Sequence, residues 1–264
     1  MNRRDFLLGF CAVSAGAVAL RPARALAGPT PVIEQGFRLV IDPGHGGENL
    51  GCRAHRGGTH EKEVTLTLAR SLAGRVVELM PHAEVLLTRE TDETLHLSQR
   101  VGFANACKAD LFLSLHCNAS PRADQTGFET FLLDVDASSK EAALTAQREN
   151  DEASGRPSGE ADDEIAVMLR ELGMTNNRKH AALYAKAIQR EQAKRFPGRP
   201  DRGVRQANFD VLMGARMPAV LHEVGFLDHA DESALMLDAS GRRQLVEALA
   251  QATLTYYNQV ARRT

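Results

Sequence analysis

The sequence has few aromatic residues and few cysteines, and it lacks features typical of disulfide-rich, membrane-spanning or nucleic-acid-binding proteins. It has no tryptophan, only three tyrosines and only four cysteines in 264 residues. Setting aside Cys11 in the N-terminal segment leaves an odd number of cysteines, which argues against a disulfide framework. The apolar stretch from Phe6 to Leu20 is shorter than the roughly 20 residues of a membrane-spanning helix. The formal net charge of −2 gives no support for a nucleic-acid partner.

The composition that remains is that of a folded globular chain, with 43% hydrophobic and 25% charged residues. The length suits one α/β domain with a sizeable core, or at most two small domains. Because the phenylalanine before Cys11 is too large for the small-residue position of a lipoprotein site, no lipid anchor is expected.

Residues 1–27 have the pattern of an export signal, and we expect the mature domain to span 28–264. A basic start at Arg3 and Arg4 precedes the apolar stretch, and the segment ends in the small-x-small sequence Ala-Leu-Ala, which predicts cleavage after Ala27. The paired arginines favour a twin-arginine signal and hence a periplasmic location, with a Sec signal as the alternative. Without residues 1–27 the formal net charge falls from −2 to −5.

Strand and helix patterns then alternate, which predicts an α/β layered domain. The predicted strands are 38–42, 83–89, 110–118, 128–135, 209–214 and 218–226, and the predicted helices are 61–80, 97–108, 180–196 and 241–260.

Residues 136–176 differ from this pattern because they are rich in charged and small residues. A sequence resembling a capping box at Ser138–Glu141 predicts a short helix to about Asn150. Apolar spacing over Ile165–Leu172 predicts a second helix, closed by Gly173. The segment is interpreted as a helical insertion, with an ordinary surface excursion as the alternative.

Four polar residues stand where apolar strands end or helices begin: His45, Glu61, His116 and Glu223. Catalytic groups of α/β sheets collect at such positions. Two histidines and one carboxylate are a common catalytic zinc set, and a further carboxylate such as Glu223 could serve as the general base. The spacing alone leaves the metal site open, because it contains no short H-E-x-x-H signature.

The glycine-rich stretch around His45, "VIDPGHGG" (40–47), is also compatible with a phosphate-binding turn. No Lys-Ser/Thr pair follows it, and the next chemical group is a carboxylate that would repel phosphate. His60 competes with Glu61 as a ligand, whereas His222 is expected on the opposite face of its strand from Glu223. The remaining histidines, His82, His96, His180 and His229 among them, are interpreted as surface residues.

Four ordered segments resemble the zinc-dependent N-acetylmuramoyl-L-alanine amidases of the cell-division type. They are "VIDPGHGG" (40–47), "HEKEVTLTLA" (60–69), residues 86–120 and residues 202–229. The resemblance runs from about Phe37 to near the C-terminus. It implies a phosphorylase/hydrolase-like α/β fold, a twisted sheet flanked by helices. It also implies peptidoglycan as substrate and cleavage of the amide between the lactyl group of N-acetylmuramic acid and L-alanine.

Carried over by position, the resemblance assigns His45, Glu61 and His116 as ligands of one Zn²⁺ and Glu223 as the catalytic glutamate. This chain departs from the family at Cys117, where a small residue is usual, and at His222, where an aliphatic residue or threonine is usual. Both neighbour the site and could add a metal contact or sensitivity to oxidation.

The resemblance also gives the insertion a role, because division amidases carry a helical insertion that covers the zinc cleft until a protein activator moves it. Glu149, in "TAQREN" (145–150), matches the glutamate that can reach the metal. Two alternatives stay open: a zinc peptidase acting on cell-wall peptides, and an exported wall-binding protein with a degenerate site.

Overall fold

The computed structural model describes residues 36–120, 122, 124–151 and 164–261, and the predicted export signal lies outside them. The strands are β1 (Arg38–Pro43), β2 (Glu84–Leu87), β3 (Leu111–Asn118), β4 (Phe128–Leu133), β5 (Asp201–Ala207) and β6 (Ala219–Phe226). The helices are α1 (Glu61–Leu79), α2 (Leu97–Ala106), α3 (Lys140–Asp151), α4 (Glu164–Arg195), α5 (Ala230–Leu237) and α6 (Ala239–Ala261), with a 3-10 turn at Asp210–Leu212. None of the described helices has the length and apolar character needed to cross a membrane.

The strands form one mixed sheet in the order β2-β1-β3-β6-β4-β5. Neighbouring strands are parallel except β4 and β6, which run antiparallel. The central strands β1, β3 and β6 are apolar and buried along almost their whole length, as expected for strands covered on both faces. Their carboxyl ends meet at one edge of the sheet.

Helices cover both faces of the sheet over separate apolar clusters. On the first face, α1, α4 and α6 pack over a cluster that includes Leu113, Val220 and Tyr184. On the second face, α2, α3 and the 3-10 turn pack over a cluster around Phe112 and Phe131. The α/β layered fold expected from the sequence is confirmed, and α3 lies on the second face.

The sequence placed β1, β2, β3, β4, β6 and the C-terminal helix correctly, but two assignments were wrong and one strand was missed. Residues 209–214 contain a 3-10 turn rather than a strand, and the strand in this region is β5, Asp201–Ala207. β5 is an edge strand of polar residues, so it carries little apolar signal. Gly173 does not close a helix, because α4 continues through it; a glycine inside a helix costs only about 1 kcal/mol relative to alanine.

The predicted short helix of the insertion is confirmed as α3. Its start is fixed by Ser139, whose Oγ accepts a hydrogen bond from the Ala142 amide at 3.1 Å. A serine in this position satisfies one of the free amides of the first helical turn. Ser138 joins α3 to the sheet, because its Oγ accepts from the Gln206 amide at 3.2 Å.

Candidate metal centre

The first corner of the site is His45, in the turn that follows β1. Its backbone lies in the left-handed region with φ of +60°, which is uncommon for a residue with a side chain. Nδ1 of the ring lies 2.9 Å from Asn49 Oδ1. Because the amide oxygen can only accept, this contact places the proton on Nδ1 and leaves Nε2 as a metal-ligating atom. Gly44 beside it must lack a side chain, since a Cβ there would lie 2.4 Å from the His116 ring.

Buried arginines hold the backbone of this turn. Arg100 donates to the carbonyls of Pro43 at 2.9 Å and His45 at 2.7 Å, and it pairs with Asp42 at 2.8 Å. Arg89, 1% exposed, donates to the carbonyls of Pro43 and Gly44. Burial raises the pKa of Asp42, but the Arg100 charge and its hydrogen bonds outweigh burial and lower it. Asp42 therefore supports the turn indirectly, because it pairs with Arg100, which binds the turn's carbonyl groups.

Glu61, the first residue of α1, forms the second corner. Its Oε1 accepts from the Cys117 amide at 2.7 Å and its Oε2 from the Cys52 amide at 3.0 Å. The register of β3 against β6 shifts between His116 and Asn118, which frees the Cys117 amide from the strand ladder. Burial alone would raise the pKa of Glu61, but the neighbouring histidines hold it well below its usual range.

Glu61 joins the cluster and His60 does not. His60 is the residue before the first turn of α1, and its backbone amide donates to the Glu63 side chain at 2.6 Å. The competition between these two neighbours is therefore resolved in favour of Glu61.

His116, near the end of β3, forms the third corner. Its Nδ1 lies 3.2 Å from His45 Nε2 and 3.3 Å from Glu61 Oε1, while His45 Nε2 lies 2.9 Å from the same oxygen. A tetrahedral zinc site with bonds of 2.0–2.1 Å separates its ligand atoms by about 3.3 Å. The three side chains are thus already spaced as ligands of one ion.

Glu149 brings a fourth candidate ligand atom, Oε2, next to the ligand atoms of His45, Glu61 and His116. Its Oε2 lies 2.9 Å from His116 Nδ1 and 3.4 Å from His45 Nε2. Burial raises the pKa of Glu149, but His116 lowers it to about 2. Burial lowers the pKa of His116, and the Glu149 and Glu61 carboxylates together raise it to about 9. The prediction that α3 brings Glu149 to the other three residues matches the geometry.

The donor set fits a metal ion. His45, Glu61, His116 and Glu149 are all buried, and their ligand atoms lie within 4.8 Å of one another. Within the described residues, no hydrogen bond satisfies the buried Oε2 of Glu149 despite its short contacts. Ligand atoms of four side chains therefore converge on one point, and two imidazoles with carboxylates are ligands that suit zinc.

α3 docks through a stripe of residues spaced three and four apart. Ala142, Thr145, Ala146 and Glu149 are buried along one side, whereas Leu144 on the other side is 63% exposed. Such a stripe is the face of a helix that lies on a core. The contact is shallow because two of its four members are alanines.

Arg148, beside Glu149, ties this helix to the site. Its guanidinium donates to Glu149 Oε1 at 2.9 Å, to the Ala119 carbonyl at 2.9 Å and to Asn118 Oδ1 at 3.3 Å. The same group lies 3.7 Å from Glu223 Oε1. Sequence reasoning missed both Arg148 and Asn49, because the contacts they make depend on the tertiary fold.

Glu223 lies next to His116, because the two residues are paired across β6 and β3. It is fully buried, and neither carboxylate oxygen has a hydrogen-bond partner within the described residues. Burial, followed by the nearby Glu149 carboxylate, raises its pKa well above the usual range of a glutamate. A carboxylate with a raised pKa is suited to accept and return a proton near neutral pH.

His222 points to the opposite face from Glu223, as expected. Its Nδ1 lies 2.9 Å from Thr130 Oγ1 and its Nε2 lies 2.8 Å from Gln192 Oε1. It is a buried packing residue. Two other histidines differ from expectation, since His180 and His229 are half-buried rather than on the surface.

Of the two cysteines near the site, Cys117 faces away from the cluster of ligand atoms, whereas the side chain of Cys52 contacts Glu61. Cys117 packs in the apolar core of the first face, and Cys52 lies at the edge of that core, with its Sγ 3.2 Å from the Cys117 carbonyl. Burial raises the pKa of both thiols. Cys52, Cys107 and Cys117 are all free thiols.

The fold and the site define an α/β protein with a candidate metal centre at the carboxyl edge of its sheet and a buried glutamate beside it. Comparison with known families is consistent with this class, since residues 39–254 match the model of the N-acetylmuramoyl-L-alanine amidase family. The chain belongs to this family.

Curated relatives share the similarity over most of the chain. N-acetylmuramoyl-L-alanine amidase AmiA of Escherichia coli (strain K12) is 30% identical over 223 residues, which are 83% of this chain and 76% of the relative. AmiC of Neisseria meningitidis serogroup B is 31% identical over 245 residues, which are 90% of this chain and 55% of the relative. The chain therefore spans only about half of the Neisseria protein.

A solved structure supports the same fold. The N-acetylmuramoyl-L-alanine amidase from Clostridium difficile 630 superimposes with a TM-score of 0.63 at 25% identity, covering 84% of this chain and 97% of that one. The expected amidase-like arrangement of a sheet flanked by helices is confirmed.

Proposed function

We propose that the chain is an exported zinc amidase of peptidoglycan. It cleaves the amide between the lactyl group of N-acetylmuramic acid and L-alanine of the stem peptide. The observation that carries this proposal is the convergence of two histidines and two carboxylates beside the buried Glu223, in a chain of the amidase family. An α/β domain without this cluster would give no reason to propose hydrolysis.

His45, Glu61 and His116 would hold the ion. When bound, Zn²⁺ supplies a Lewis acid that polarises a carbonyl and lowers the pKa of water toward about 7. Neighbouring groups fix two of these side chains: Asn49 orients the His45 ring, and two backbone amides hold the Glu61 carboxylate. Such supporting contacts fix the ligand geometry before the substrate arrives.

Glu223 would move the proton. It takes a proton from the attacking water and then gives it to the nitrogen of L-alanine as the amide bond breaks. Its position beside His116 suits this task, and so does its raised pKa. The reaction consumes one water, leaving a carboxyl group on the lactyl arm and a free amine on the peptide.

α3 would keep the enzyme inactive at rest. A glutamate in the fourth position displaces the water that catalysis needs, and Glu149 stands there. Burying two alanine methyl groups contributes only about 2 kcal/mol, so the helix is held largely by polar contacts such as those of Arg148 and Ser139, which a competing partner can replace. A protein activator that binds the exposed side of α3 could therefore withdraw it.

The proposed location is the periplasm, reached by the twin-arginine route and without a lipid anchor. The export-type pattern of residues 1–27 and the wall substrate support this location. Folding and metal loading in the cytoplasm before export would be compatible with free cysteines.

Product analysis tests the function. Purified sacculi are digested with the full chain and with its Glu149→Ala variant, in which the occluding carboxylate is removed, each with and without a chelator. The products are identified by chromatography and mass spectrometry. An amidase releases intact peptides and leaves glycan free of peptide. A zinc peptidase would leave the muramic acid–alanine bond intact, and a degenerate wall-binding protein would release nothing.

The matched variant is Glu223→Gln, which removes the base and keeps the shape. We expect it to retain the metal and to lose cleavage by roughly 10²-fold or more. Full activity in this variant would contradict the role of Glu223 as the base, and it would leave the proposed metal ligands unchallenged.

A further inference from the structure

A row of charged side chains crosses the second face of the sheet next to the metal centre. Pairing of the strands places His116 beside Glu223, and Glu223 beside Glu129 of β4. Beyond Glu129 lies the edge strand β5, from which Arg202 and Arg205 reach the same carboxylate oxygen. The arginines thus end a row that begins at a proposed metal ligand.

Glu129 positions the two guanidinium groups through their Nε atoms, and both side chains remain partly exposed. Arg202 Nε lies 3.1 Å and Arg205 Nε lies 2.8 Å from Glu129 Oε2. Arg202 also stacks over the Phe226 ring at 5.1 Å, which fixes its plane. The Arg202 and Arg205 side chains are 19% and 23% exposed, so solvent and ligands can reach them. Glu129 is the one buried carboxylate that both cations contact, and the exposed Glu141 of α3 is a further carboxylate that interacts electrostatically with both. Withdrawal of α3 would therefore leave a surplus positive charge on the two arginines.

α3 occupies part of this cationic edge. Arg205 Nη1 donates to Ser139 Oγ at the start of the helix at 3.0 Å. Arg148 of the same helix covers Asn118, whose side chain donates to Glu129 at 2.6 Å. Withdrawal of α3 would therefore free a donor of Arg205 at the same time as it opens the metal.

We propose that Arg202 and Arg205 form a carboxylate subsite that binds the peptide arm of the substrate. The inference rests on the proposed amidase function. The peptide arm carries free carboxylates, whereas the lactyl carboxyl of the glycan arm is consumed in the amide. Arginine guanidinium is the group best matched to a carboxylate. The peptide then runs toward β5 and the glycan toward β1.

The spacing between strands is compatible with a peptide that runs from Glu223 toward β5. Glu129, which both guanidinium groups contact, stands one strand spacing from Glu223, about 4.8 Å, and the backbone of β5 stands about 9.5 Å from β6. A carboxylate two or three residues beyond the scissile amide lies on the order of 7 to 11 Å away in an extended peptide. The arginines therefore match acidic groups near the second and third peptide residues.

The test compares two substrates that differ only in charge. One is a muropeptide with free peptide carboxylates, and the other is the same compound with these groups converted to amides. KM and kcat are measured for the full chain carrying Glu149→Ala, alone and combined with Arg202→Gln, Arg205→Gln or Arg205→Lys. Arg190→Gln, an exposed arginine of α4, is the matched control.

We expect each glutamine variant to raise KM for the acidic substrate roughly tenfold or more, because a charge-assisted hydrogen bond is lost. kcat and the KM for the amidated substrate should stay within about twofold. Arg205→Lys should restore part of the affinity and Arg190→Gln should change nothing. Each single variant leaves Glu129 one arginine, and thermal unfolding checks that it folds.

Unchanged KM in both glutamine variants, or an equal preference for both substrates in the parent, would overturn the subsite. Calorimetric binding of the acidic muropeptide to the same proteins separates this failure from failure of the amidase proposal. If the parent cleaves nothing, arginine-dependent binding would still support the subsite. Equal affinity of the parent and the glutamine variants for the acidic muropeptide, or no binding by any of them, would overturn the subsite.

Discussion

Two parts of the candidate metal centre are held in different ways. His45, Glu61 and His116 stand on the sheet edge and on α1, backed by buried polar groups such as Arg100. Glu149 stands on α3, whose buried stripe includes two alanines and whose other side exposes Leu144. The difference fits a site with three permanent ligands and one removable ligand. In the proposed function, regulation acts through the contacts of α3 and not through the three residues on the sheet edge and α1.

The largest loss of stability should come from a change in the part of the site that stands on the sheet edge and α1. Arg100→Ala removes one partner of the buried Arg100–Asp42 pair and releases the carbonyls of Pro43 and His45. Loss of one partner of a buried pair costs about 3–5 kcal/mol. Urea unfolding should show this loss, together with weaker zinc binding. Arg75→Ala, which breaks a partly exposed pair with Glu247, should cost less, and equal losses in the two variants would contradict the special role of the buried Arg100.

The next effect is a pH dependence on the first face, away from α3. Burial lowers the pKa of His222 to about 3, so the folded chain keeps this imidazole neutral. The unfolded chain binds the proton below pH 6.5, and stability from this residue is therefore present above that pH and lost as pH falls. The expected loss is about 3 kcal/mol at pH 4.

Unfolding of the wild type and of His222→Gln between pH 7 and pH 4 measures this loss. The variant should start less stable at pH 7, because its contacts with Thr130 and Gln192 change, and should then depend less on pH. Parallel pH dependences of the two proteins would show that His222 does not carry the effect.

A smaller effect distinguishes the two helices of the second face. Ala104 of α2 and Ala146 of α3 are both buried in the same apolar cluster. Ala104→Leu should destabilise the fold by about 1–3 kcal/mol, because α2 carries Arg100 and cannot move away. Ala146→Leu should change global stability little and raise basal activity, because α3 can lift from the sheet. Thermal unfolding and dye release from labelled sacculi measure both, and an equal destabilisation without added activity would contradict a removable α3.

Much of the fold could be read from the sequence, because β1, β3 and β6 are dense apolar runs. β5 could not, since an edge strand of polar residues is defined by its partner β4 rather than by its own pattern. His45, Glu61, His116 and Glu223 could be predicted as site residues because each stands where an apolar strand ends or a helix begins, and the family resemblance supplied their expected roles. Arg148, Arg100 and Asn49 carried no such signal, because the value of each lies in a contact made only after folding.

The most direct test of the account measures zinc content and peptide release on the same samples of the wild type, Glu149→Ala and His116→Ala. We expect Glu149→Ala to keep about one zinc per chain and to release peptide roughly tenfold faster, because a larger fraction of chains is open. His116→Ala should lose both zinc and release. If Glu149→Ala instead loses zinc and activity as His116→Ala does, then Glu149 is a permanent ligand and the distinction between the two parts of the site is wrong.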